Sequence, residues 1–166
     1  MSFNGDISKW NVAKVTSMRN MCNQATSFEG DISKWITGAV ADMRGMFAHA
    51  KAFNGDIAKW NVAKVTTMER MFYQATSFKG NISKWNVGEV KTMEFMFNGA
   101  SAFSQILCGK WKSSNANKAN MFKGSKGKIG ECPWGKLHSR VIFIVMDSMV
   151  SPKHLTLTNQ FGCMNT

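Results

Sequence analysis

The sequence predicts an α/β fold, a right-handed solenoid in which each 25-residue coil supplies a short parallel strand and a short helix. Three observations predict it. The stretch "FNGDISKWNVAKVT" at residues 3–16 returns almost unchanged as "FNGDIAKWNVAKVT" at 53–66. Bulky apolar residues recur on a step of 25 through most of the chain. Within each unit their spacing changes from alternate residues to a helical stripe. A period of this length, held this strictly, marks a stacked-repeat architecture rather than a site used once.

The first element of each unit is a turn, carried by "NGD" or its variants at 4–6, 29–31, 54–56 and 79–81. Glycine and Asn/Asp are the residues that turns favour. A half-buried strand is expected next, because "WNV" at 10–12, 60–62 and 85–87 alternates apolar, polar and apolar. The helix is expected in segments such as "VTTMERMFYQA" (65–75). There Met68, Met71, Phe72 and Ala75 fall at i, i+3, i+4 and i+7. Thr66 sits where an N-cap belongs and Glu69 would complete a capping box. Thr16 lacks that acidic partner.

The columns behind this reading are Phe3, Phe28, Phe53, Phe78 and Phe103; Ile7, Ile32, Ile57 and Ile82; and Trp10, Trp35, Trp60 and Trp85. Valine recurs at Val15, Val40, Val65 and Val90, and alanine at Ala25, Ala50, Ala75 and Ala100. Two methionine columns start at Met18 and Met21, and beside the second stand Cys22, Phe47, Phe72 and Phe97. Burying one such side chain contributes roughly 1.5–3 kcal/mol, whereas ordering backbone costs about 1–2 kcal/mol per residue. A lone unit therefore cannot fold, and stacked units can. Cys22, in a phenylalanine column, reads as a small buried hydrophobe.

The motifs "FNGDISKWNVAKVTSMRNMC", "FNGDIAKWNVAKVTTMERMF" and "FKGNISKWNVGEVKTMEFMF" resemble those of the BspA-like leucine-rich-repeat surface proteins, in the variant with a lipoprotein-type unit of 25 residues. The resemblance covers residues 3–103 unit by unit and a weaker fifth unit to Phe122. It implies a leucine-rich-repeat-like solenoid with a parallel sheet along one face, used for adhesion or protein recognition at a cell surface or after secretion. It implies no enzyme activity, cofactor or catalytic residue.

Residues 1–103 are thus expected to form a four-coil solenoid, 104–136 a partial fifth repeat and C-terminal cap, and 137–166 a tail of uncertain structure. Trp111 comes one place late, and the step of 25 returns at Met121 and Phe122. The second unit departs at "WITGAV", where Ile36 and Thr37 interrupt an outward asparagine column of Asn11, Asn61 and Asn86. Cys108 and Cys132 both fall in the cap, so a disulfide between them is expected; in a reducing compartment they would remain thiols. In the tail, "VIFIVMDSMV" at 141–150 reads as a further strand, a contact segment or a poorly ordered stretch. It is too short to span a bilayer. The residues ahead of the first repeat do not read as a secretory signal.

Charge narrows the partner. Residues 1–103 carry twelve Lys/Arg against eight Asp/Glu, and residues 104–166 carry nine against two. Such a basic balance suits an acidic protein, acidic lipid or, more weakly, nucleic acid. Lys9, Lys34, Lys59 and Lys84 each precede a core tryptophan, and Lys110 keeps the place before Trp111. They predict a cationic ladder able to bind a partner, or else a solvated edge copied with the unit.

Chemistry-bearing motifs are scarce, and the expectation is of no enzyme and no cofactor. No P-loop, dinucleotide fingerprint or nucleophile elbow occurs. His49 lies in a repeat. Cys132 and His138, with Cys163 or His154, lack the paired spacing of a structural zinc site. Asp6, Asp31 and Asp56, ending at Asn81, read as turn residues rather than a calcium ladder, which needs six or more oxygens per ion. The function expected is a non-catalytic protein- or glycan-binding adhesion module. The alternative is a structural subunit meeting its neighbours through the first coil or the basic C-terminal segment.

Overall fold

The computed structural model describes residues 3–132. The expected tail, residues 133–136 of the expected cap, and His138, His154 and Cys163 lie outside the described residues.

The α/β solenoid of strand–helix coils is not what the chain forms. Regular structure among the described residues is confined to β1 (Ile106–Leu107), α1 (Lys110–Ser113) and β2 (Lys128–Ile129). β1 and β2 pair in parallel, Ile106 with Lys128 and Leu107 with Ile129. The rest is built from turns. The "WNV" segments are not strands, and "VTTMERMFYQA" is not a helix.

Hydrogen bonding explains why. Along residues 18–25 the amide donors alternate between two destinations. Met18, Asn20, Cys22 and Gln24 donate to Asp42, Arg44, Met46 and Ala48 of the following unit, at 2.8–2.9 Å. Met21, Asn23 and Ala25 instead donate to Met18, Asn20 and Cys22, three residues back. An α-helix needs every amide to bond four residues back, and here none does. The same alternation recurs from Met43, Met68 and Met93 onward.

Backbone handedness enforces the pattern. Asn20, Gln24, His49, Arg70, Gln74, Phe95 and Asn120 have φ between 53° and 60°, and Gly45, Gly99 and Gly124 complete the same two columns. A pair of left-handed residues four apart in each unit stops a right-handed helix. Thr66 therefore has no helix to cap. Its hydroxyl donates to Ala41 O across units at 3.2 Å, and the Glu69 amide donates to Thr67 Oγ1 rather than closing a capping box.

Unit-to-unit contact supplies the cohesion. Isolated parallel bridges join Ser17, Asp42, Thr67, Thr92 and Asn117 in succession. Phe28, Phe53, Phe78 and Phe103 stack with centroids 5.8–6.0 Å apart, while Phe47, Phe72, Phe97 and Phe122 form a second file at 5.5–5.6 Å. The files interleave at 3.9 Å, as Phe72 does with Phe78. Each tryptophan reaches back a unit: Trp35, Trp60, Trp85 and Trp111 donate Nε1–H to the carbonyls of Ile7, Ile32, Ile57 and Ile82 at 3.1–3.2 Å. The extra residue before Trp111 is taken up at α1, preceded by Gly109 at φ 57°. Glycine in the "NGD" turn has a steric duty, since a Cβ on Gly30 would lie 2.6 Å from the Phe28 ring.

The turn carboxylates bond their own backbone. Asp6, Asp31 and Asp56 accept from the amides two residues ahead at 2.9–3.0 Å, and Asn81 does the same at 3.1 Å. The Ser8 and Ser33 amides, then their hydroxyls, hold the Asp6 and Asp31 carboxyls below the usual carboxylate range, with Lys9 and Lys34 adding a smaller pull. A depressed folded pKa gives stability that is full above the unfolded value, about 3.9. It is lost as pH falls through the folded value. Acid titration of an Asp6→Asn/Asp31→Asn variant should therefore lose less stability below about pH 4 than the parent. Equal acid sensitivity in the two proteins would refute this role.

Candidate functional site

Two exposed surfaces run along the stack. The lysine edge is one: Lys9, Lys34, Lys59, Lys84 and Lys110 are all exposed, and Lys34, Lys59 and Lys84 each sit at a tight turn just before a buried tryptophan. Lys110 also borders a 510 Å³ hollow with Glu89, Lys91 and Ser114.

The other surface is a groove of about 660 Å³ over the left-handed turns, from Arg19 in the first unit to Lys123 in the fifth. Sequence reasoning did not find it. At unit spacing of about 4.8 Å it runs for roughly 19 Å. Four columns line it. Arg19, Arg44 and Glu69 form one wall, and Asn20, Gly45, Arg70 and Phe95 the next row. Asn23, Ala48, Tyr73, Asn98 and Lys123 follow, with Gln24 and His49 beyond.

Its electrostatics centre on one carboxylate shared by two cations. Arg44 Nε and Arg70 Nη1 each lie 3.5 Å from a Glu69 carboxylate oxygen. The Arg70 guanidinium also sits over the Phe95 ring, 5.3 Å from its centroid, a favourable cation–π arrangement. His49 meets Tyr73 edge-on at 5.2 Å. Arg44 Nε and Asn23 Oδ1 are buried without a hydrogen-bond partner among the described residues. Arg44 Nε is nonetheless ion-paired with Glu69 at 3.5 Å.

Some groove residues also sit in the left-handed backbone of the turns. A non-glycine residue in the left-handed region costs about 1–2 kcal/mol, yet Arg70 and Phe95 hold φ of 54° and 55°. Glycine fills the equivalent place at Gly45. Every unit holds a left-handed residue at this place, so the backbone there belongs to the turn pattern and fixes where these side chains start. A legible signal existed, since Asn20, Gly45 and Asn120 share a column, as do Gln24, Gly99 and Gly124.

The cysteines are structural in placement. Cys108 and Cys132 are joined by a disulfide with Cα atoms 5.3 Å apart. Cys22 is a buried thiol pushed up to about 11 by burial, so it is a poor nucleophile at neutral pH. Among the described residues no group of three or more His, Cys, Asp or Glu gathers to hold a metal ion. No helix there is long and apolar enough to cross a membrane.

No curated protein and no solved structure matches the chain. Residues 1–66, and again 32–129, match the family described as "Mycoplasma protein of unknown function, DUF285", and the chain belongs to that family.

Proposed function

We propose that the chain is a non-catalytic interaction module whose ligand surface is the groove over the left-handed turns. The observation that carries this reading is the contrast between columns. Core columns repeat one residue type, and so does the lysine edge. The groove columns do not: one runs Asn20, Gly45, Arg70, Phe95, Asn120 and another Asn23, Ala48, Tyr73, Asn98, Lys123. Copied residues serve what every unit shares, which is packing and solubility. Diversified residues make each step of the groove chemically different, as recognition of one ligand requires. The resemblance to BspA-like surface proteins supports the same class of role, with adhesion as its setting.

The test pits the two surfaces against each other. Full-length protein is immobilised and challenged with native extract, beside a Tyr73→Ala/His49→Ala variant and a Lys34→Gln/Lys59→Gln/Lys84→Gln variant. Capture should be lost in the groove variant and kept in the edge variant. The reverse would move the site to the lysine edge.

One observation favours a second reading, a structural subunit. Phe3, Trp10 and Met21 are 43%, 55% and 37% exposed around a 340 Å³ hollow, whereas their counterparts Phe53, Trp60 and Met71 are at most 4% exposed. Light scattering separates the readings, because self-association abolished by Trp10→Glu favours the subunit.

A further inference from the structure

We propose that the groove binds an anionic glycan, an oligosaccharide carrying carboxylates or sulfates; this rests on the groove being the ligand surface. Charge is the first argument. Arg19, Arg44, Arg70 and Lys123 line the groove against one carboxylate, Glu69, which two of those guanidiniums already share. Arg19 and Lys123 are exposed at its two ends. A guanidinium grips carboxylate or sulfate through parallel N–H donors, and the separation of these ends suits a linear polyanion.

The lining decides between a glycan and an acidic peptide. An extended peptide gains affinity by pairing with free backbone groups and by seating alternate side chains in apolar pockets. Here the groove backbone is already committed: the amides of Asn20, Gly45, Arg70 and Phe95 each bond the following unit at 2.9–3.0 Å. The rings are engaged as well, Phe95 under Arg70 and Tyr73 against His49. What remains free in chemical character is amide. Asn20, Asn23, Gln24 and Asn98 line the groove, and each amide offers donors and an acceptor in one plane. Sugar hydroxyls, which both donate and accept, are the natural complement.

The experiment measures binding of full-length protein to hyaluronan oligosaccharides, which carry carboxylates only, and to chondroitin sulfate oligosaccharides, which add sulfates. Dextran and poly-glutamate serve as the neutral-glycan and acidic-peptide probes. Binding to either anionic glycan, weakened by salt and absent for dextran, is the expected result. An Arg19→Gln/Lys123→Gln variant, altered only at exposed positions, should bind about tenfold more weakly. The lysine-edge variant should stay within about twofold of the parent. Poly-glutamate binding as tight as the glycans would overturn the assignment in favour of an acidic peptide. Equal losses in the groove and edge variants would overturn it as undirected charge attraction. If neither glycan binds while capture from extract still depends on Tyr73 and His49, the glycan assignment falls and the groove reading stands.

Discussion

Trp60→Ala is expected to destabilise the protein by about 3–5 kcal/mol, the usual cost of emptying a large aromatic site in a core. Trp60 is 4% exposed, stacks on Trp35 at 6.2 Å and donates its indole N–H to Ile32 O in the preceding unit. Removing it opens a cavity and deletes the indole bond between units, leaving Ile32 O with the Trp35 amide alone. Trp10 occupies the same column but is 55% exposed, so Trp10→Ala should cost no more than about 0.5 kcal/mol. Urea denaturation of the two variants checks the pair. Similar losses at both positions would show that unit-to-unit burial is not what tryptophan contributes.

That contrast also shows what was legible in the sequence. The columns named the residues that pack: Phe28, Phe53 and Phe78, Ile32, Ile57 and Ile82, and Trp35, Trp60 and Trp85 are all buried. They could not name the backbone that presents them. The spacing of Met68, Met71, Phe72 and Ala75 suits a helical face, yet the same residues are buried here by left-handed turns that send alternate amides to the next unit. Side-chain periodicity records which residues face inward. It does not record where the amides donate, and inter-unit bonds at 24-residue separation leave no local trace. Asn20, Gly45 and Asn120 carried the missing hint, because Asn and Gly are the residues that tolerate positive φ. The groove was hidden for a related reason. Its residues were sought as a repeated motif, whereas they differ at each step, and Arg70 and Phe95 come together only because their turns are stacked.

Reduction of the Cys108–Cys132 disulfide should lower stability by about 3 kcal/mol, the chain-entropy cost of releasing a loop of this size. The two cysteines are 24 residues apart, and the loop holds Trp111, Ala116 and Met121 of the core. Only short pieces of regular structure tie the same segment: β1 against β2 and the four-residue α1, with the Lys112–Glu131 ion pair on the surface. An exposed ion pair adds at most about 1 kcal/mol, so the disulfide is the larger addition to the inter-unit hydrogen bonds and the Phe97–Phe122 stacking that hold this last unit. Denaturant melts with and without reductant measure the difference. A Cys108→Ser/Cys132→Ser variant should match the reduced protein and ignore reductant. Hydrogen exchange should locate the loosening, with faster exchange at the Phe97 amide, which donates to Met121 O, than at the Phe47 amide, which donates to Met71 O two units earlier. Unchanged melting on reduction would mean that aromatic stacking through Phe122 closes the last unit by itself. Uniform loosening of both amides would mean that the units unfold as one body rather than from this end.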